Sequence, residues 1–419
     1  MVDTDPERLT VEERDLGVTG QQQESSSRSR RVLFYSHDGT GLGHLRITLG
    51  IATAYSQLRP HDSLLLLTGS PHAGAFPLPA NLDYVKIPAM PKRDLYASLP
   101  PTEGFTGSHN STIRFRMALA IATVKGFDPH LVVVDHAPGG LFREFAPSIE
   151  WLRQRDPRPH FALLMRDITF GPEQTREIWT NEGAYPLLDD VYDDILVYGD
   201  QRVFDPVSAY AMSDNAAAKT RYCGYLSPLP PQRTPPEVRL ELGAGSLPLV
   251  VVSVGGGADG GPLLRAYIAG LNERPTAPVF SYIVTGPLLA EAEQQELTAL
   301  AADRPNLRFA KFDPDFAAAV RAADVVVSMG GYNSIAEAVY FGKRPVIVPR
   351  LPGALEQVLR AQGFARLDLA TVVAPETLSG STLWAAIDEA LADNDPRSQP
   401  LAFDALTRIA NELAGSPSG

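Results

Sequence analysis

The sequence predicts an α/β protein with two Rossmann-like, doubly wound parallel-sheet domains that face each other across a cleft. From Arg31 onward, short apolar runs alternate with amphipathic helical stretches, the pattern of a parallel sheet covered on both faces. A proline-rich segment between Pro228 and Pro236 interrupts the alternation, and a second series follows it. A chain of 419 residues is also long for a single hydrophobic core, which favours two domains.

Strands are predicted at the short apolar stretches of each series. The first series is RVLFYS, SLLLLTG, YVKIP, LVVVDH, FALLMR and DILVYG, with helices predicted at 45–57, 111–125 and 141–155. The second series is LPLVVVSV, VFSYIVTG, NLRFAKF, DVVVSMG and RPVIVPR, with helices predicted at 262–272, 288–302, 315–323 and 335–341.

These patterns divide the chain into five parts. We expect a disordered leader at 1–29, a first Rossmann-like domain at 30–225, a proline-rich linker at 226–246, a second Rossmann-like domain at 247–400, and at 401–419 a helix that returns toward the first domain, with a tail.

Composition restricts the class of partner. A net charge of −12 disfavours nucleic acid and an anionic membrane surface as partners of the whole protein. One cysteine rules out an internal disulfide and fits a reducing, cytoplasmic compartment. No apolar run approaches the ~18 residues of a spanning helix. Peripheral contact with the inner face of a membrane stays open, because a local basic patch would escape the average charge.

The first candidate site follows the first predicted strand, where Gly39, Gly41 and Gly43 precede His44. A dinucleotide fingerprint beginning at Gly39 would need glycine where His44 stands, and the second strand does not end on the acidic residue that binds ribose. Neither this loop nor the rest of the chain contains a P-loop motif. We therefore expect neither NAD nor a P-loop nucleotide site.

Two more glycine-rich loops follow strands in the second series. Gly255, Gly256 and Gly257 come after LVVVSV, and Gly330 and Gly331 come after DVVVS. Glycine lets backbone amides approach a phosphate closely, so the two loops predict one diphosphate held from two sides. For the second loop a local alternative exists, because Ser334 and Glu337 fit the capping box S-x-x-E.

The order of these features resembles the GT-B glycosyltransferases, including the peptidoglycan N-acetylglucosaminyltransferase that forms lipid II and related predicted bacterial glycosyltransferases. The resemblance spans about residues 31–410 and is most specific at 328–357. It implies the GT-B architecture, with an acceptor domain at 30–225 and a nucleotide-sugar-binding domain at 247–400. It also implies a donor site in which Glu337 binds ribose. The remaining implied donor-binding residues are Ser253, Gly255, Gly256, Gly257, Gly330, Gly331, Asn333, Ser334, Glu356 and Gln357.

The base that would activate an acceptor hydroxyl is sought in the first domain. His44 is one candidate because its unperturbed pKa lies near neutrality, although it would equally serve as a lining residue of the loop. Asp135 and Asp38 are the alternatives, and Asp135 would otherwise orient His44. Gly41, Gly43, His136 and Arg166 are the residues expected on the acceptor side, with an internal ion pair of Arg166 and Asp167 as the alternative for that arginine.

The sequence therefore predicts an inverting, metal-independent hexosyltransferase that uses a nucleoside diphosphate sugar, of the UDP type, as co-substrate and a hydroxyl acceptor. No other cofactor is expected, and no metal site. Asp313 and Asp315 mimic a metal-binding D-x-D motif, but aspartate in this position favours a helix cap. Two alternatives stay open: a UDP-sugar epimerase of the same fold, and a nucleotide-sugar-binding protein without catalysis.

Overall fold

The computed structural model describes residues 29–36, 43–90, 109–274, 278–301, 304–350, 355–393 and 401–417. Within them the chain forms two sheets in which every pair of neighbouring strands is parallel. Helices cover both faces of each sheet. This is the doubly wound α/β arrangement that the alternating pattern predicted, and that prediction is confirmed.

The first sheet has seven strands in the order β3-β2-β1-β4-β5-β6-β7. Its strands are β1 Arg31–Ser36, β2 Ser63–Thr68, β3 Leu82–Lys86, β4 Leu131–Asp135, β5 His160–Arg166, β6 Asp194–Tyr198 and β7 Thr220–Tyr222. Its helices are α1 Gly43–Leu58, α2 His109–Phe127, α3 Ala146–Arg153, α4 Pro172–Asn181, α5 Ala184–Asp190, α6 Pro206–Ala209 and α7 Asp214–Ala218.

The second sheet has six strands in the order β10-β9-β8-β11-β12-β13. Its strands are β8 Leu249–Ser253, β9 Phe280–Val284, β10 Leu307–Ala310, β11 Val325–Ser328, β12 Val346–Ile347 and β13 Thr371–Val372. The helices in this half are α8 Pro235–Leu242, α9 Gly261–Asn272, α10 Glu291–Leu300, α11 Phe316–Ala322, α12 Tyr332–Tyr340, α13 Leu355–Arg366, α14 Gly380–Ala392 and α15 Ala405–Gly415.

At the predicted linker and at the predicted helix 141–155, the structure differs from the sequence-based expectation. The expected linker contains α8, which starts in a capping box of Thr234 and Glu237 and buries Val238 in the core of the second domain. The expected helix at 141–155 is split, because Phe142 and Arg143 have positive φ and end a short 3-10 turn before α3 begins. Apolar periodicity alone carries no signal for either feature.

Helix α15 packs on the first domain although it follows the second in sequence. Its buried Ile409 and Leu413 belong to the same apolar cluster as residues of β1 and α1. Arg30, just before β1, donates hydrogen bonds to the carbonyls of Leu413, Ala414 and Ser416, at 3.3, 3.1 and 2.8 Å. These carbonyls at the end of a helix would otherwise lack partners, so Arg30 caps α15.

The packing of α15 predicts a stability effect for Leu413→Ala. Truncating this fully buried side chain should lower the free energy of unfolding by about 2–5 kcal/mol, because it leaves a cavity between α15 and the first domain. Leu240→Ala is the matched control, since that side chain lies at the end of α8 and is 82% exposed. Urea unfolding followed by circular dichroism would measure both. Equal midpoints for the two variants would show that α15 contributes nothing to the fold of the first domain.

Candidate functional site

The carboxyl edges of the two sheets meet at Tyr332, the first residue of α12. Its ring lies 5.9 Å from the ring of Tyr198 at the end of β6, and its hydroxyl donates to the Tyr198 carbonyl at 3.3 Å. Residues 223–234, the crossing segment, connect β7 of the first domain to α8 of the second. Within this segment, Leu226 donates its backbone N–H to the Tyr332 hydroxyl at 3.4 Å. The loops that follow the strands of both sheets therefore line one region, which is where ligands of open α/β sheets bind.

The two glycine-rich loops of the second domain leave neighbouring strands at the same level. Ser253 at the end of β8 and Ser328 at the end of β11 are register partners. Gly255, Gly257 and Gly330 have φ of 62°, 93° and 83°, a backbone conformation in which a side chain would be strained. A Cβ at Gly255 would meet no atom within 4 Å, so this part of the loop borders open space.

Both loops lead into helices whose N-termini lack a side-chain cap. Gly260 precedes α9 and Gly331 precedes α12, and neither helix start receives a hydrogen bond from a capping side chain. The capping-box alternative for Ser334 and Glu337 is wrong, because α12 begins two residues before Ser334. Two helix N-termini without a side-chain cap thus follow register-paired strand ends, and the amide groups and dipole at such a terminus favour an anion.

Glu337 lies in the second turn of α12, mostly buried. Burial, and secondarily the negative charge of Asp315, raise the pKa of its carboxyl from 4.5 to about 7. No hydrogen bond or ion pair joins this carboxylate to another residue in the described part of the chain. A costly carboxylate with unused acceptor oxygens next to an anion-binding helix start is typical of a ligand contact rather than a structural one.

Gln357 and Glu356 lie in the first turn of α13. Gln357 is buried, and its Oε1 accepts the backbone N–H of Arg350 at 3.2 Å. A Cβ at Gly330 would lie 3.7 Å from the Cβ of Gln357, so α13 starts directly beside the second glycine loop. Arg350 also pairs with Asp259, in the glycine loop that follows β8, with 2.6 Å between Nε and Oδ2. Arg350 thereby joins the start of α13 to the glycine loop that follows β8.

On the first-domain side, His44 in the first turn of α1 meets the end of β4. Its Nδ1 lies 2.8 Å from Oδ2 of Asp135, whose side chain is fully buried. His136 follows with φ of 67°, and its ring centroid is 5.0 Å from that of His44. A carboxylate at Nδ1 fixes the tautomer that leaves Nε2 as the accepting nitrogen. Asp38 and Gly41 lie outside the described residues.

Arg166 ends β5 and Asp167 follows it, but the ion pair of Asp167 uses a different arginine from the one expected. Arg360 of α13 approaches Asp167 with 3.3 Å between Nη2 and Oδ1, and both side chains are buried. Burial lowers the pKa of Arg166, whereas Tyr198, Asp167, Tyr332 and Asp135 raise it, and the net shift is upward. Arg166 therefore stays protonated beside Tyr332, with its guanidinium carbon 5.7 Å from the ring centroid.

Asp313 and Asp315 do not act as predicted. Asp315 occupies the N-cap position of α11, but its carboxylate makes no capping hydrogen bond to the helix. It accepts instead from the backbone N–H groups of Gln232 and Arg233, at 3.1 and 2.9 Å. Asp313 pairs with the Arg233 guanidinium at 2.8 Å. The motif thus fixes the crossing segment to the second domain. No metal-binding group of three or more ligands occurs among the described residues.

Sequence reasoning missed Arg360 and Arg350. Both contact the glycine loops or the opposite domain, yet neither belongs to a local motif that has a chemical meaning by itself. The spacing of Arg360 from Gln357, three residues along one helix, is the one signal that would have placed it on the face of α13 that carries the donor-site candidates.

In the described residues no helix is long and apolar enough to cross a membrane.

Comparison with known proteins identifies the architecture. Residues 251–410 match the glycosyltransferase family 28 C-terminal domain. The calicheamicin glycosyltransferase CalG4 is similar over 93% of this chain and 96% of its own, with 16% identity and a TM-score of 0.59. MurG from Acinetobacter baumannii covers 92% of this chain and 95% of its own, with 17% identity and a TM-score of 0.56.

The same fold occurs in an enzyme of another class. UDP-GlcNAc 2-epimerase from Methanocaldococcus jannaschii is similar over 92% of this chain and 99% of its own, with 10% identity and a TM-score of 0.60. No curated protein sequence matches significantly. The GT-B architecture is therefore confirmed, and the resemblance to glycosyltransferases is confirmed by the match in the second domain.

Proposed function

We propose that this protein is an inverting, metal-independent glycosyltransferase that moves a hexose-type sugar from a UDP-sugar to a hydroxyl acceptor. The observation that carries the proposal is the pair of glycine loops at Ser253 and Ser328. They leave register-paired ends of β8 and β11 and lead into two helix N-termini without side-chain caps. Such a site stabilises the negative charge that develops on a leaving diphosphate without a metal ion.

The donor would lie along the second domain. Backbone amides near Gly255, Gly256, Gly257, Gly330 and Gly331 would bind the diphosphate, together with the polar groups of Ser253, Asn333 and Ser334. The Glu337 carboxylate has two unused acceptor oxygens one turn into α12, where ribose hydroxyls would donate to it. Glu356 and Gln357, at the start of α13, would bind the hydroxyls of the donor sugar.

The acceptor would approach from the first domain. In the proposed step the acceptor oxygen bonds to the anomeric carbon while the bond from that carbon to the diphosphate oxygen breaks. His44 Nε2 takes the hydroxyl proton, and Asp135 stabilises the imidazolium through Nδ1. The electron pair of the broken bond leaves with the diphosphate. Asp38 remains the alternative base, and Gly41, Gly43, His136 and Arg166 would contact the acceptor.

A second candidate function is epimerisation of a UDP-sugar. The observation that favours it is the group formed by His44, His136 and Asp135, which places two imidazoles 5.0 Å apart next to a buried carboxylate. Epimerisation needs acid and base groups around the sugar ring and no acceptor. We place either reaction in the cytoplasm. Peripheral contact with the inner face of the membrane would depend on whether the acceptor is bound to that membrane.

The two reactions differ in their products. Incubation with a panel of UDP-sugars in EDTA should give slow donor hydrolysis without an acceptor, because water replaces the hydroxyl, and transfer when alcohols or glycans are added. Mass spectrometry and proton NMR would follow the products. An isomerised UDP-sugar would favour the epimerase, and binding without turnover would favour a non-catalytic binding protein. Turnover that EDTA abolishes and Mn²⁺ restores would contradict the metal-independent mechanism.

Glu337→Gln should weaken binding of a UDP-sugar by tenfold or more. The change removes the charge and one acceptor oxygen, and charge-assisted hydrogen bonds are worth roughly 1.5–3 kcal/mol each. Because the pKa of Glu337 is about 7, the affinity of the wild type should rise between pH 6 and pH 8, and that of the variant should not. Isothermal titration calorimetry at both pH values would measure this.

The same variant should change the stability of the free protein in the opposite direction. A carboxyl whose folded pKa exceeds its unfolded value contributes stability that is lost as pH rises from about 4.5 to about 7. At pH 8 the free energy of unfolding of Glu337→Gln should therefore exceed that of the wild type by on the order of 1–3 kcal/mol. Near pH 4.5 the two proteins should have equal free energies of unfolding. Glu389→Gln, at an exposed site on α14, is the control. Unchanged affinity and unchanged stability would remove Glu337 from the donor site.

Asp135→Asn should lower kcat by about 10²–10⁴-fold while leaving the Kd for the UDP-sugar unchanged. An amide neither selects the required tautomer of His44 nor stabilises its protonated form. His44→Gln should give a similar loss, and the double variant should lose little more, because both residues act in one step. His72→Gln is the control, since His72 is exposed. Losses that multiply in the double variant would show that the two side chains do not work as a pair.

A further inference from the structure

Arg360 bonds to both domains at once. Its guanidinium pairs with Asp167 of the first domain through Nη2 and Nε, at 3.3 and 3.4 Å, and donates through Nη1 to the Gly330 carbonyl at 3.4 Å. The guanidinium carbon also lies 5.6 Å from the centroid of the Tyr332 ring. Arg360 is buried, so these contacts are made away from bulk water.

Asp167 is held from several sides in a fixed position. It accepts the backbone N–H of Ile168 at 2.7 Å and the hydroxyl of Tyr225 at 3.2 Å. Its side chain is fully buried, so removal of Arg360 would leave a buried charge without its ionic partner. Asp167 is thus a rigid anchor in the first domain, and the position of the Arg360 guanidinium depends on it.

We infer that Arg360 is a positioning residue that makes the shape of the donor loop depend on the docking of the first domain. This inference rests on the proposed function, because Gly330 opens the loop that would bind the donor diphosphate. Gly330 has φ of 83°, and its carbonyl is the acceptor of the Arg360 hydrogen bond. A shift of Asp167 moves the guanidinium, and the guanidinium orients the peptide that precedes the start of α12.

Arginine has the side-chain geometry that the contacts with Asp167 and Gly330 require. Its planar fork presents several donors in fixed directions, so one side chain reaches a carboxylate and a carbonyl together. A lysine at this position would keep the ion pair with Asp167, but it carries a point charge on a flexible stem. Stability should therefore depend on the positive charge at position 360, whereas donor affinity should depend on the planar guanidinium. A purely structural ion pair would not separate these two effects.

A double-mutant cycle tests this coupling. Asp167 lies in the domain that does not carry the donor loops, yet Asp167→Asn should raise the Kd for a UDP-sugar about tenfold, because the amide no longer fixes the guanidinium. In an Arg360→Met background the same change should alter the Kd by less than about twofold, since the link is already absent. Calorimetry would give the Kd values and differential scanning fluorimetry the melting temperatures.

Arg360→Lys is the conservative arm and keeps the test decisive if Arg360→Met does not fold. It should restore most of the melting temperature and little of the affinity. Glu144→Gln is the control for destabilisation, because it breaks the buried pair with Arg116 inside the first domain and should leave the Kd unchanged. A Kd that stays at the wild-type value in Asp167→Asn, or recovers fully in Arg360→Lys, overturns the inference.

Failure of the inference and failure of the proposed function give different results. A wild type that binds UDP-sugars, with Glu337→Gln weakened and Asp167→Asn unaffected, overturns the role of Arg360 alone. A wild type that binds no nucleotide sugar overturns both.

Discussion

The packing of α12 and α13 against the ends of β5 and β6 is the contact on which the candidate site depends. Tyr332, Ile335 and Phe364 of the second domain belong to one continuous apolar cluster with Val32, Phe34 and other residues of the first. Because apolar burial is the main stabilising term in such contacts, this shared core fixes the distance between the two halves of the site. Without it, His44 and Glu337 would lie on unrelated surfaces.

The electrostatics of the site differ from those of the whole chain. A protein with a net charge of −12 repels a diphosphate at long range, and a cleft that binds one must attract it locally. The groups available at the glycine loops are backbone amides and helix dipoles, and the arginines near them are paired, Arg350 with Asp259 and Arg360 with Asp167. In the proposed function, oriented amides would therefore supply most of this local attraction, which would account for the glycines at these positions.

Features set by local sequence could be predicted, and features set by distant contacts could not. The strands β8 and β11 and their glycine loops were readable because apolar runs and backbone requirements are local. The capping box at Ser334 is wrong because Gly331, three residues earlier, already takes the extended N-cap conformation. The partner of Arg360 carried no local signal, since Asp167 is 193 residues away in the chain, and Arg233 binds Asp315 across 82 residues in the same way.

The position of α15 has a consequence for how the protein folds as it is synthesised. Arg30 is joined to Ser416 across 386 residues, and Tyr225 exchanges backbone hydrogen bonds with the segment at Ala402 and Ala405, at 2.8 and 3.2 Å. The first half of the chain thus leaves the ribosome with an apolar face that only a much later segment covers. During that interval the second domain can complete its own core, but the face of the first domain that α15 covers stays exposed. Chaperone binding should therefore concentrate on α1 and its neighbours rather than on the donor loops.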